Sequence, residues 1–96
     1  MNPEITALLR TLEHLAYIIE CVADTIPGEA KSEMDSLSKR LGGDPDLQFE
    51  GSVEARETMV EACGLFRAGT EQERREAVLV LVRLSRSLWK QVLGKI

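Results

Sequence analysis

The chain has 96 residues, of which 44% are hydrophobic, 29% charged and 4% aromatic, and its formal net charge is −4 at pH 7. This length predicts one domain, residues 1–96, because a second hydrophobic core would not fit. The composition excludes the disordered class, and the net acidity argues against general affinity for nucleic acids. With so few aromatic residues, the core is expected to be aliphatic, which favours an all-α helical bundle.

Two cysteines, Cys21 and Cys63, fit neither a zinc-binding spacing nor a redox C-x-x-C pattern. We expect reduced thiols that behave as small apolar residues in a cytoplasmic protein. The first residues, Met1 to Glu4, carry no basic region before an apolar stretch, so neither a signal peptide nor a membrane span is predicted.

Helix one is predicted to begin with Asn2 as its cap and Pro3 at the first helical position. Pro27-Gly28 is predicted to end it, because proline cannot continue the hydrogen-bond ladder and glycine accepts the backbone angles of a stop. Its apolar residues recur at helical spacing and predict a core face. They are Ile5, Leu8, Leu9, Leu12, Leu15, Ala16, Ile19, Val22, Ala23 and Ile26.

The opposite face of helix one is polar and carries His14, the only histidine of the chain. We expect His14 to be solvated or hydrogen-bonded at the surface, since no second histidine exists to share a metal. Ile18 and Cys21 lie on the same flank and form a minor apolar strip. This strip is expected to pack against another helix of the bundle; the alternative is a partner chain.

Helix two is predicted over residues 29–41, with Ala30, Met34, Leu37 and Leu41 facing inward. Gly42 is predicted to be its left-handed cap, and residues 42–51 are predicted to form a loop.

The apolar residues of this loop, Leu47 and Phe49, are expected to cover the open end of the bundle. The alternative is an exposed peptide that docks into a partner.

Helix three is predicted over residues 52–68, with Ser52 as its cap and Gly69 as its stop. Its predicted buried stripe consists of Val53, Met59, Val60, Ala62, Cys63 and Phe66. Because Thr70 follows at once, helices three and four should be antiparallel or form a bent pair.

Helix four is predicted from Thr70, where Thr70 and Glu73 form a capping box, to Ile96. The Thr70 hydroxyl is expected to accept the Glu73 N–H, and the Glu73 carboxylate to accept the N–H of Thr70. The six apolar residues from Ala77 to Val82 would cover every side of a helix, so this helix is central or forms an interface. The same run is compatible with a buried strand, but the capping box and the following basic pattern favour a helix.

Helical spacing places the core face of helix four at Ala77, Leu81, Leu84, Leu88 and Val92. The opposite face carries a basic stripe, defined as Arg83, Arg86 and Lys90, with apolar residues among and beside it. This composition is typical of interface anchors. The predicted interface residues are Leu79, Val80, Arg83, Arg86, Trp89, Lys90 and Leu93. Self-association is the preferred interpretation, because most soluble oligomers are symmetric homodimers.

Helix three carries an acidic row, defined as Glu54, Glu57 and Glu61, at helical spacing. This row is either a solvated face or the counterpart of the basic stripe. In the second case the ion pairs form within the monomer or across a dimer, and they would select partner and register more than they stabilise.

We therefore predict an all-α, antiparallel bundle of four helices, two long and two shorter, that is dimeric and noncatalytic. The expected function is that of a small adaptor, inhibitor or regulatory protein, with a second copy of itself and an unidentified protein as partners. No catalytic residue, metal, cofactor or membrane contact is predicted. The first alternative is a nucleic-acid-associated regulator in which Arg83, Arg86 and Lys90 bind phosphates.

A third hypothesis is that the protein is an enzyme. The pairs Glu54-x-x-Glu57 and Glu73-x-x-Glu76 distantly resemble the paired acidic motifs with which all-α nucleotide pyrophosphatases bind magnesium. Carboxylate oxygens suit that ion, and the resemblance implies a magnesium-dependent nucleotide hydrolase. The second motif of that family ends in aspartate and lies in the middle of a helix, whereas Glu73 here belongs to a capping box.

Overall fold

The computed structural model describes residues 2–23 and 27–96. In these ranges the chain forms α1 (Pro3–Ala23), α2 (Pro27–Gly43), α3 (Ser52–Ala68) and α4 (Glu71–Lys95), with a 3-10 helix at Pro45–Leu47 and no strand. The predicted all-α fold with two longer and two shorter helices is confirmed. The strand alternative for Val78 to Val82 is wrong, since these residues lie inside α4. No helix in the described part of the chain has the length and apolarity that crossing a bilayer requires.

The helices form a ring in which α1 packs against α2 and α4, and α3 packs against α2 and α4. Two polar contacts join the end of α4 to the segments that begin α1 and α3. Lys95 Nζ lies 2.7 Å from Glu4 Oε1, and Gln91 Nε2 donates a hydrogen bond of 2.8 Å to the carbonyl oxygen of Glu50. The last turns of α4 are therefore fixed between the starts of α1 and α3.

Two predicted helix starts are confirmed. Asn2 Oδ1 accepts the Glu4 N–H at 2.8 Å, and Thr70 Oγ1 accepts the Glu73 N–H at 3.1 Å. The return contact of the predicted capping box differs, because the Thr70 hydroxyl donates to Glu73 Oε1 at 2.6 Å. The Glu73 carboxylate therefore accepts a hydrogen bond from the Thr70 hydroxyl, which is the same group that caps the helix.

Pro27 and Gly28 are the first residues of α2, so Gly28 does not have the predicted conformation of a helix stop, and helix two begins before the predicted residue 29. Proline is well suited to the first turn of a helix, where its missing N–H would have no partner in any case. The expected continuation of helix one through Ile26 falls outside the described residues.

Gly42 does not have the predicted left-handed conformation, because α2 continues through Gly43. The end of α2 is held by the Asp44 N–H, which donates to the Arg40 carbonyl oxygen at 2.8 Å. A Cβ atom at position 42 would lie 2.7 Å from Arg56 Nε, so this glycine allows a close approach of the α3 side chain. Asp44 then caps the 3-10 helix by accepting the Asp46 N–H at 2.9 Å.

Ser52 is not the cap of α3, because Gly51 occupies that position with a φ of 92° and no side-chain cap. The buried Ser52 hydroxyl donates to Gln48 Oε1 at 3.2 Å, within the turn that precedes the helix. Gly69, with a φ of 85°, is the left-handed stop of α3 as predicted.

The predicted core faces of α2 and α4 are confirmed, since Ala30, Met34, Leu37 and Leu41 and all five residues of the α4 arc are buried. Leu47 and Phe49 are also buried, so the prediction that they cover the bundle is confirmed and the docking-peptide alternative is wrong.

The prediction for α3 is wrong at Val53 and Val60, which are exposed. Ser52 and Ala55 are buried on that helix instead.

The buried face of α1 is rotated towards α2 relative to the predicted core face. Ala16 is exposed, and Leu9, Ile19 and Val22 are only partly buried against the core. The residues on the other flank are fully buried, namely Ala7, Thr11, Ile18 and Cys21. The Ile18–Cys21 strip therefore packs within the bundle, as expected. The rotation arises because α2 covers the flank of α1 that carries His14.

Candidate functional site

The outer face of α4 exposes large apolar side chains beside the basic stripe. Leu79 is 52% exposed, Leu93 is 69% exposed and Trp89 is 46% exposed. Val80 differs from these predicted interface residues because it is partly buried and packs against the core. At 100° per residue, Leu79 and Leu93 lie within about 40° of each other, on the side opposite the buried arc.

The basic stripe is exposed along its whole length. Among the described residues, no carboxylate oxygen lies within 4.0 Å of the charged groups of Arg83, Arg86 or Lys90. The five ion pairs of this part of the chain involve other cations, namely His14, Arg40, Arg67, Arg75 and Lys95. The stripe thus presents positive charge that is not held in an ion pair of the described residues, next to exposed leucine.

A groove of about 430 Å³ runs between α3 and α4. Its apolar lining includes Ala55, Val80, Leu84 and Leu88, and its polar lining includes Glu54, Thr58, Glu61, Arg83, Ser87 and Gln91. A second depression of about 270 Å³ adjoins it and shares Glu61, Val80 and Arg83 with it. The second depression also reaches Leu65 and Leu79, so the groove leads onto the outer face of α4.

The acidic row borders this groove. Glu54 and Glu61 line it, whereas the exposed Glu57 does not. No carboxylate of the row lies within 4.0 Å of a basic group in the described ranges. The alternative in which the row and the stripe form ion pairs inside one monomer is therefore wrong.

A polar cluster between α1 and α2 was not foreseen from the sequence. His14, whose side chain is only 10% exposed, lies with Nε2 2.7 Å from Glu33 Oε2 and Nδ1 3.1 Å from Arg40 Nη1. Glu33 and Arg40 are seven residues apart and share one face of α2, which is the only sequence signal for this cluster.

Tyr17 belongs to the same cluster, and its hydroxyl donates to Glu29 Oε1. That hydrogen bond raises the pKa of Tyr17 above its ordinary value, because the phenolate could not donate to a carboxylate.

The remaining candidate groups have local structural partners. Cys21 and Cys63 are free and buried, and Cys63 Sγ donates to Asp35 Oδ1 at 3.3 Å. Glu73, from the second acidic pair, is bound to Thr70. Within residues 2–23 and 27–96, no group of three or more histidine, cysteine or acidic side chains is arranged to hold a metal ion.

The geometry therefore brings the predicted interface residues to one continuous surface that consists of the outer face of α4, the α3/α4 groove and the acidic row. Trp89 lies at the edge of this surface, on the flank of α4 away from α3, and Val80 lies in its floor. No protein-family model, no curated protein and no solved structure matches this chain.

Proposed function

We propose that this protein is a noncatalytic interaction module, of the small adaptor or regulatory kind, that acts as a homodimer through the outer face of α4. One observation carries the proposal: Leu79 and Leu93 are exposed near the two ends of a basic stripe that has no acidic partner within 4.0 Å among the described residues. Single exposed leucines are ordinary on protein surfaces. Two on one face, with a half-exposed tryptophan at its edge, have the composition of an interface.

The proposal includes an antiparallel arrangement of neighbouring helices. The contact between Glu4 and Lys95 supports it for α1 and α4, because the first turn of one helix meets the last turn of the other. Along α1 and α2, Tyr17 contacts Glu29 while the earlier His14 contacts the later Glu33. An antiparallel bundle leaves α4 with one side towards solvent over its full length.

Burial of the exposed leucines would supply most of the driving force. Removing a fully exposed leucine side chain from water contributes about 1.5–3 kcal/mol. Leu79 and Leu93, which are 52% and 69% exposed, would contribute part of that amount from each copy of the dimer. Part of this gain offsets the loss of translational and rotational freedom on association. The charges are expected to select the partner and the register.

The test is the oligomeric state of the wild type and of two glutamate variants, measured by sedimentation equilibrium from low micromolar to millimolar concentration. The wild type should be dimeric, and Leu79→Glu should be monomeric with an unchanged helical circular dichroism spectrum. Val53→Glu is the matched control, because Val53 is 64% exposed but lines a depression beside α2 instead of the α4 surface. A monomeric wild type at millimolar concentration would disprove the proposal.

A second candidate function is binding of nucleic acid by the basic stripe, which is favoured by the exposure of Arg83, Arg86 and Lys90. The acidic row across the groove disfavours it, because it would repel the phosphates that approach α4. Titration of duplex DNA at low salt separates the two functions. Nucleic-acid binding requires a salt-sensitive signal that is lost in Arg83→Ala/Arg86→Ala, whereas the homodimer proposal expects no signal.

We also propose a cytoplasmic location, supported by two buried thiols that remain unpaired. A second protein partner, as expected for an adaptor, would bind the dimer.

A further inference from the structure

We infer that the two copies of the dimer are related by a two-fold axis parallel to the helices, so that the acidic row of each copy faces the basic stripe of the other. This inference rests on the proposed homodimer and specifies its geometry. It comes from the heights of six charged residues along the bundle and from the absence of pairing between them within one monomer, in the part of the chain that the structure describes.

The two rows have the same length. The ends of the acidic row, Glu54 and Glu61, are seven positions apart on α3, and the ends of the basic stripe, Arg83 and Lys90, are seven positions apart on α4. At 1.5 Å per residue each row spans about 10 Å.

The two rows also lie at the same height. Glu61 lines the smaller depression together with Val80 and Arg83, and the carbonyl oxygen of Glu50, about one turn before Glu54, accepts the hydrogen bond from Gln91. Along antiparallel helices, each step back along α3 is a step towards the end of α4. Glu61, Glu57 and Glu54 are therefore level, within about one turn, with Arg83, Arg86 and Lys90, respectively.

A two-fold axis that is parallel to the helices and lies in front of the α3/α4 groove keeps the height of every residue and exchanges the positions of α3 and α4. It therefore places α3 of one copy against α4 of the other, and each acidic residue meets a basic residue of the partner at its own height. The two-fold symmetry produces this row of contacts twice, so the basic stripes of both copies are neutralised in one interface. Leu79 would then lie over the partner's Leu65, since both residues line the same depression within one copy.

The other two-fold arrangement has its axis across the helices and places α4 against α4. In that dimer the basic stripe would face another basic stripe, and like charges that face each other are unfavourable. The charge pattern thus distinguishes between two geometries that the exposed leucines alone would permit.

The experiment uses charge reversal at Glu57 and Arg86, with the dimer dissociation constant measured by sedimentation equilibrium at low salt. Either Glu57→Lys or Arg86→Glu should weaken the dimer on the order of tenfold, because each reversal turns two attractive contacts into repulsive ones. The double variant Glu57→Lys/Arg86→Glu should recover the wild-type constant to within about threefold, since the two reversed charges would then attract each other across the interface. Lys39→Glu, a charge reversal at an exposed position of α2, should leave the dimer dissociation constant unchanged.

The outcomes separate the inference from the proposed function. A wild type that dimerises and is unaffected or strengthened by Arg86→Glu overturns the parallel axis and leaves the homodimer intact, since that result is expected when α4 faces α4. A wild type that stays monomeric overturns both. Single variants that weaken the dimer without recovery in the double variant also overturn the inferred pairing, provided that circular dichroism shows folded protein.

Discussion

Arg40 Nη1 lies 3.1 Å from His14 Nδ1, and this contact fixes the tautomer of the only histidine in the chain. A guanidinium nitrogen can only donate, so Nδ1 accepts and the ring proton lies on Nε2. Nε2 in turn donates to Glu33 Oε2 at 2.7 Å. The imidazole therefore bridges two residues on one face of α2 and ties that helix to α1.

We predict that ¹⁵N-resolved NMR spectra at neutral pH show His14 as the Nε2–H tautomer. His14→Ala should lower the free energy of unfolding by about 1–3 kcal/mol, because it removes the partner of a part-buried carboxylate and guanidinium. The neighbouring exposed substitution Glu13→Ala should change it by less than about 0.5 kcal/mol. An Nδ1–H tautomer would contradict the arrangement.

The contact between Glu4 and Lys95 predicts a specific pH dependence of stability. The Lys95 ammonium, followed by the Glu50 N–H, lowers the pKa of Glu4 below its ordinary 4.5. The stabilisation that ionised Glu4 contributes is therefore present above the ordinary carboxyl pKa, and it is lost as the pH falls through the lowered pKa. The same contact raises the pKa of Lys95 above its ordinary 10.5, so the contribution of Lys95 is lost only as the pH rises through that raised value.

Urea unfolding of wild type and Glu4→Gln should consequently show the variant less stable at pH 7 and the difference reduced at pH 3. Glu20→Gln, an exposed change outside the ion pairs of the described chain, should show little difference at either pH. A Glu4→Gln effect that is constant from pH 3 to pH 7 would assign the loss to packing instead of charge.

Truncation of two leucines of α4, only two residues apart, should have very different effects on stability. Leu81 is fully buried, so Leu81→Ala should lower the free energy of unfolding by about 2–5 kcal/mol through lost packing and a residual cavity. Leu79→Ala should change the free energy of unfolding of the monomer by less than about 0.5 kcal/mol. Chemical denaturation at low concentration, where the proposed dimer would dissociate, measures both. Equal losses would mean that Leu79 is part of the core.

Cys63 should react slowly with thiol reagents at neutral pH. Burial, followed by the hydrogen bond to Asp35, raises the pKa of Cys63 above its ordinary value and reduces the reactive thiolate. In a Cys21→Ser background, iodoacetamide labelling of the folded protein should be slower than labelling of the urea-unfolded protein at the same pH. Asp35→Asn should accelerate labelling only in part, since burial is the larger cause. Equal rates in folded and unfolded protein would contradict the placement of Cys63.

Local sequence signals were sufficient for three helix boundaries. Asn2 and Thr70 cap their helices because a side-chain oxygen one to three residues from a free N–H needs no tertiary context. Gly69 stops α3 for an equally local reason, its left-handed backbone. The same local reasoning was wrong at Gly42, because the glycine there makes room for Arg56 from another helix.

The spacing of apolar residues predicted the buried face of α4 but not that of α1. On α4 the five-residue arc is the only apolar face that is continuous along the helix. Few rotations of α4 about its axis would therefore bury a similar apolar area. On α1 the apolar residues cover more than half of the helix, and several rotations about its axis bury a similar area. Contacts with α2 selected the rotation that buries Ile18 and leaves Ala16 exposed.

The sequence alone therefore determined the helical class, the order of the helices, several of their ends, and which side of α4 faces inward, because these depend on interactions within a few residues. Only the tertiary structure decided which charges pair. His14 meets Arg40 from 26 positions away, whereas Glu54, Glu61 and Arg83 line one groove without forming an ion pair among the described residues. Such choices depend on the relative heights and rotations of packed helices, which the periodicity of a single helix does not contain.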